Sequence, residues 1–214
     1  PLKNFLGMGR QASLARASEL LDLVGLPKRA IKHYPHELSG GQRQRVAIAA
    51  ALAVNPKIII ADEAVSALDV SVQAQIINLL ADLRRQLGLT YIFVTHDLNL
   101  CAYFCDRIAV LYLGQIMEIC NAGKLLSEPR HPYTQALISA IPSVNREGRR
   151  ERTILSGEIP SPLDPPPGCP FQPRCPRAIP RCAERRPRLE EIGESHLVAC
   201  HVVADEFNSI GEKS

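Results

Sequence analysis

Hydrophobic residues along the chain follow two spacings. Residues 11 to 24 set Leu14, Ala17, Leu21 and Val24 about one helical turn apart, which predicts a helix that Gly25 can stop. "LPKRAIKHYPHEL" then reads as a loop leading to a pair of glycines, and "GQRQRVAIAAALAVNP" has the composition of a helix that stops at Asn55-Pro56. The spacing changes at "KIIIAD", a short continuous apolar run that predicts a strand buried on both faces. "TYIFVTH" predicts a second such strand. Between the two, "SVQAQIINLLADLRRQLG" places Val72, Ile76, Leu79, Leu80 and Leu83 on one face of a helix, with Gly88 at its end. "DLNLCAYFCDR" predicts a short helix, and "IAVLYLGQIMEIC" two strands around Gly114. This alternation of strands and helices predicts an α/β fold with a parallel sheet.

After residue 121 the character changes. "KLLSEPRHPYTQALISAIP" predicts two short helices broken by proline, and "SVNREGRRERTILSGEIPSPLDPPPG" a linker rich in Pro, Gly and Arg. A small cysteine module runs from Pro167 to about His201, and no internal repeat is visible. The 214 residues suit one large domain, or one domain with an appendage. Apolar residues make up 46% and aromatics 5%, with no Trp, so any core is aliphatic. A net charge of +3 is too small to argue for nucleic acid. The longest apolar run, Val46 to Val54, is about half of what a membrane span needs. The opening residues carry no secretory signal, and the start at Pro1 without Met is not expected to be a natural beginning.

Four places carry candidate chemistry. In "LSGGQ", Ser39 is a natural helix cap, and Gly40 and Gly41 remove side chains from the approach to the first helical turn. Its unpaired amides and partial positive charge suit a phosphate, although an ordinary Ser-Gly-Gly turn reads the same way. In "KIIIADE" a strand ends in Asp62, able to hold magnesium through water, and Glu63, able to deprotonate an attacking water; the alternative is a solvated acidic pair. His96 in "THD" lies at the end of the next strand, where it can contact a phosphate or serve structure alone. The seven cysteines divide into two groups. Cys101, Cys105 and Cys120, among apolar residues, read as buried structural groups. Cys169, Cys175, Cys182 and Cys200 are spaced C-x5-C-x6-C-x17-C. They suit zinc or an iron–sulfur cluster, with His196 and His201 keeping a mixed zinc site open and a flap of unligated thiols as the alternative.

Together, "LSGGQRQRVAIAAAL", "IIIADEAVSALD" and "FVTHDL" resemble the signature, Walker B with D-loop, and switch-histidine segments of an ABC-type ATPase, over most of residues 10 to 126. The resemblance implies a P-loop NTPase-like parallel sheet flanked by helices, followed by a small Cys/Pro-rich extension. It implies ATP and magnesium as ligands. Ser39, Gly40, Gly41 and Gln42 would be the signature; Asp62 the magnesium acid; Glu63 the catalytic base; His96 the switch; and Ser66, Ala67, Leu68 and Asp69 the D-loop. It implies a head-to-tail pair of ATPase subunits in which each signature loop closes on ATP held by the other. The pattern also departs from the family. There is no G-x-x-x-x-G-K-[S/T] loop: "NAGKLL" has Leu125 after Lys124, and Glu118 where the first glycine would be. Ala64 stands where relatives usually have Pro, and Ala50 where they usually have Arg. The expectation is a C-terminal portion of a longer protein that does not hydrolyse ATP alone.

"HPYTQALISAIP" and the tail after it resemble the extension of importer ATPases for oligopeptides, dipeptides and, in some members, nickel. That resemblance implies a peripheral subunit on the cytoplasmic face of the cell (inner) membrane. Its partners would be permease subunits and, indirectly, an extracytoplasmic peptide-binding protein. Some relatives carry a 4Fe-4S cluster in this extension, which favours the cluster over zinc. Ten Arg between residues 146 and 188 face five acids, and this reads as a solvated or lipid-headgroup-facing surface, with no nucleic acid expected. The domains expected are 1–126, 127–166 and 167–214. Two competing readings are a non-transport ABC ATPase, and a metal-binding interaction module on a degenerate ATPase scaffold.

Overall fold

The computed structural model describes residues 1–141, 153 and 155–211. Most of the linker expected at residues 143–168 up to position 154 therefore lies outside the described residues. The chain divides into two compact units, Pro1–Asp97 and Leu98–Ser214.

In the first unit, α1 (Leu2–Leu6) and α2 (Arg10–Leu23) precede two 3₁₀ turns, Lys28–Lys32 and Pro35–Glu37. Then come α3 (Gly40–Leu52), β1 (Ile58–Asp62), α4 (Val70–Leu87) and β2 (Thr90–Val94). Gly25 follows α2 in the left-handed conformation at φ +70°, as its position suggested. The buried face of α2 differs from the expected one: Leu20, Leu21 and Val24 are buried while Leu14 is half exposed. Helix α3 lies against both α2 and α4. Arg45 at its middle donates to the Val24 carbonyl at 2.7 Å, tying it to the end of α2. The predicted apolar stripe of α4 is real at Ile76, Leu80 and Leu83, joined by Ile77.

Strands β1 and β2 pair in parallel, in register from Ile58 opposite Thr90 to Asp62 opposite Val94. Burial on both faces is not observed. Ala61 is buried, yet Ile58, Ile60, Ile92 and Val94 are exposed, Ile60 to 69%. Side chains alternate across a strand, and among the described residues only one face of this pair is covered.

The second unit begins with α5 (Leu98–Phe104), β3 (Arg107–Tyr112) and β4 (Gln115–Asn121). The expected third parallel strand is instead antiparallel. Leu113 and Gly114 both take positive φ, 47° and 72°, which is the two-residue turn that folds β3 back on β4. Two short helices follow, α6 (Ala122–Ser127) and α7 (Pro132–Ser139), separated at the predicted proline. A 3₁₀ turn (Gln172–Arg174), α8 (Pro180–Glu184), β5 (Glu190–Glu191), β6 (Leu197–Val198) and α9 (His201–Gly211) complete the unit. Strand order is β3-β4-β6-β5, so the cysteine module extends the hairpin's sheet. Helix α9, which begins where the module was expected to end, was not foreseen.

Candidate functional site: a glycine turn, two strand ends and a cysteine cluster

Ser39 caps α3 as predicted. Its hydroxyl accepts from the Gln42 amide at 3.3 Å, and the Gln42 side chain accepts from the Ser39 amide at 3.0 Å. The amides of Gly40 and Gly41 take no part in this exchange. Ser39 and Gln42 are exposed, Gly40 and Gly41 are half-buried, and Arg43 donates to the Leu38 carbonyl at 2.6 Å. The glycines have an internal reason to be glycine as well. A Cβ on Gly41 would lie 2.6 Å from Val72, and one on Gly40 would lie 3.3 Å from Leu68. The glycine turn therefore nests on the Leu68–Val72 segment. Asp69 in that segment caps α4, accepting from the Val72 amide at 3.0 Å and the Ser71 hydroxyl at 2.7 Å. These bonds, the Val72 amide first, hold its carboxyl below the usual range.

In-register parallel pairing brings the residues after β1 and β2 out at the same end. Asp62 ends β1 and is exposed. Glu63 follows at φ +45°, a conformation uncommon for a non-glycine residue; its amide donates to the Val94 carbonyl at 2.9 Å and its own carbonyl accepts from the Ser66 hydroxyl at 3.0 Å. That backbone turn points the Glu63 carboxylate at His96, whose Nδ1 is 3.4 Å away. Both side chains are more than half exposed, and so open to a ligand. Thus Glu63 and His96 are brought together at one end of the strand pair, with Asp62 beside Glu63, while Gly40 and Gly41 lie against Leu68 and Val72 at the start of α4.

In the second unit Cys169, Cys182 and Cys200 are buried and Cys175 is half-buried. The Cys169 amide donates to the Cys182 carbonyl at 2.8 Å. A Cβ on Gly168 would fall 2.2 Å from that carbonyl, so only glycine permits the approach. Burial pushes the Cys169 thiol up to about 11 and raises Cys175 and Cys200, with neighbouring cysteines adding to the rise. Tetrahedral zinc, with Zn–S near 2.3 Å, would need sulfurs about 3.8 Å apart. Among the described residues the four cysteines form no such tight group; the group with ligand atoms all within 4.8 Å is Glu118, Cys120 and His196.

The Glu118 group was missed by sequence reasoning, although an acid inside the apolar run "IMEIC" was a signal. Glu118 is fully buried in β4. Its carboxylate accepts from the Arg130 amide at 2.8 Å, the His131 amide at 3.0 Å and His196 Nε2 at 2.7 Å. These bonds account for its burial without a metal. His131 in turn caps α7 through Nδ1, accepting from the Tyr133 amide at 3.0 Å. Burial lowers the pKa of His131 to about 4, against the opposing pull of Glu118. Cys120 is buried and pushed up to about 11 by desolvation, with Glu118 adding to it. His201 donates to the Arg185 carbonyl at 2.8 Å, so both histidines considered for a mixed zinc site are engaged elsewhere.

Two family descriptions match the chain: "ABC transporter" over residues 3–66, and "Oligopeptide/dipeptide transporter, C-terminal region" over residues 117–182. Over these segments the chain is similar to the ABC transporter family and to the C-terminal region of its oligopeptide/dipeptide members. An oligopeptide transport ATP-binding protein of Bacillus subtilis is 52% identical over 189 residues, covering 87% of this chain and 57% of that protein. A dipeptide transport ATP-binding protein of Escherichia coli is 47% identical over 208 residues, covering 97% of this chain and 62% of that protein. The chain thus spans about three fifths of the length of these relatives. Among solved structures, the ADP conformation of an ATP-binding cassette of an ABC transporter aligns with a TM-score of 0.53 at 26% identity, over 60% of this chain and 51% of that one. Among the described residues no helix is long and apolar enough to cross a membrane.

Proposed function

We propose that this chain supplies the signature, catalytic-base and switch elements of an ATPase subunit that powers import of oligopeptides or dipeptides. The observation that carries the reading is the Glu63–His96 pair at adjacent parallel strand ends, 3.4 Å apart, in a chain whose residues 117–182 match the peptide-transporter C-terminal region. Glu63 takes the proton of the water that attacks the γ-phosphate, and His96 holds Glu63 and the phosphate in line. Asp62 would hold magnesium through water, where it would supply charge to offset that of the phosphates. Ser39, Gly40, Gly41 and Gln42 meet ATP carried by a second subunit, and Asp69 keeps the D-loop shaped beneath them. The partners are that second ATPase subunit and the permease subunits, with a peptide-binding protein acting indirectly from outside, and the site of action is the cytoplasmic face of the membrane. We assign these roles to residues 1–126, a connecting role to 127–166, and a separate module to 167–214. The test is peptide uptake and ATP hydrolysis by the assembled transporter carrying Glu63→Gln. Loss of both with normal assembly supports the reading, and full activity sinks it.

For the module, we propose that Cys169, Cys175, Cys182 and Cys200 hold a 4Fe-4S cluster, with zinc as the alternative. Three buried cysteines and a half-buried fourth within one small module support a bound inorganic group. It would cross-link the module without joining in ATP chemistry. Anaerobic purification followed by iron, sulfide and zinc analysis decides between them, and a metal-free module would rule out both.

A further inference from the structure

The cysteine module has a second feature that the ATPase reading does not use. Between α8, β5 and α9 lies a cleft of about 250 Å³ into which four arginines converge: Arg181, Arg185, Arg186 and Arg188. Two of them are fixed by the protein. Arg181 pairs with Asp205 on α9 and donates to the His201 carbonyl at 3.3 Å. Arg186 places both terminal nitrogens 3.0 and 3.2 Å from the side-chain oxygen of Gln115, with that amide turned to accept. The other two, Arg185 and Arg188, have no carboxylate partner among the described residues. Buried Pro187 stiffens the backbone between Arg186 and Arg188, so the run cannot readily splay. The cleft lining holds four guanidiniums and two carboxylates, Glu190 and Asp205, and Asp205 is already paired. Like charges gathered in a concavity repel one another, and an incoming anion relieves that repulsion. Guanidinium forks match the geometry of a phosphate's oxygens. The volume is below the roughly 300 Å³ at which pockets for drug-sized ligands begin, so the fit is to a small group.

We infer that this cleft binds a phosphate group, with Arg185 and Arg188 as the contacting forks and Arg181 and Arg186 as its fixed walls. The phosphate is either free or the headgroup of an anionic lipid. The test uses the 214-residue chain without magnesium. Inorganic pyrophosphate is titrated by calorimetry against sodium chloride of equal ionic strength, and sedimentation is measured with phosphatidylglycerol and with phosphatidylcholine vesicles. The variants are R185Q/R188Q and R185K/R188K, each checked by circular dichroism. Loss of both forks is expected to weaken binding by at least about tenfold, and the lysine pair, which keeps the charge but not the fork, gives an intermediate loss. Sedimentation with phosphatidylglycerol alone, competed by pyrophosphate and lost in the glutamine variant, assigns the lipid source; pyrophosphate binding without sedimentation assigns the free one. Binding no stronger than chloride, or unchanged in the glutamine variant, overturns the site. A lysine variant equal to the wild type also overturns it, because that is a diffuse positive surface; this variant carries the test if the glutamine variant fails to fold.

Discussion

At the scale of single residues, the two most informative positions are Glu63 and Gly41. Glu63 sits at φ +45°, held there by its bonds to Val94 and Ser66, with its carboxylate on His96. Glu63→Gln keeps shape and removes the proton acceptor. In the assembled transporter it should lower ATP turnover by about 10²–10⁴-fold with thermal stability unchanged, measured by phosphate release and scanning calorimetry. Gly41 tests the opposite idea, that a motif residue is fixed by packing. Gly41→Ala should destabilise the chain by about 1–3 kcal/mol in urea unfolding, because its methyl meets Val72 at 2.6 Å. Adding Val72→Ala should restore most of that loss. The residue types of this site were legible in the sequence because capping, strand-end acids and a strand-end histidine are local signals. The Gly41–Val72 contact was not, because it depends on how α3 meets α4.

At the scale of elements, α7 shows how a cap becomes a pH sensor. His131 must stay neutral for Nδ1 to accept the Tyr133 amide, and burial lowers its pKa from 6.5 to about 4. The folded form therefore resists a proton that the unfolded chain accepts near pH 6.5. Stability is full above pH 6.5, falls as the pH drops from there, and stops falling from this source near pH 4. The shift corresponds to about 3 kcal/mol. His131→Asn keeps a capping oxygen and removes the titration, so its unfolding free energy should be flatter than wild type between pH 6.5 and 5, a window above most carboxylate titrations. Helices and strands were largely readable from apolar spacing, α4 most clearly. The sense of strand pairing was not: β3 is as apolar as β1, and only the Leu113–Gly114 turn makes it antiparallel.

At the scale of the whole molecule, the exposed isoleucines of β1 and β2 explain one failure of the sequence reading and carry a prediction. A continuous apolar run tells that both faces of a strand tolerate burial, not what covers them here. With Ile58, Ile60, Ile92 and Val94 exposed, the isolated 214-residue chain should self-associate. Ile60→Thr with Ile92→Thr should lower light scattering at equal concentration without changing the far-ultraviolet spectrum. The long-range chemistry of the second unit was the least legible part, since nothing local joins an acid in a strand to a histidine 78 positions later. That separation has a consequence in time. At roughly 5–20 residues per second, a ribosome takes about 4–16 s to add His196 after Glu118. Throughout that interval the carboxylate lacks its histidine, and β4 lacks the strand that will lie beside it. The nascent second unit must wait with this charge hydrated, and a ribosome stalled within those 78 codons would hold a hairpin that cannot yet close over its own acid.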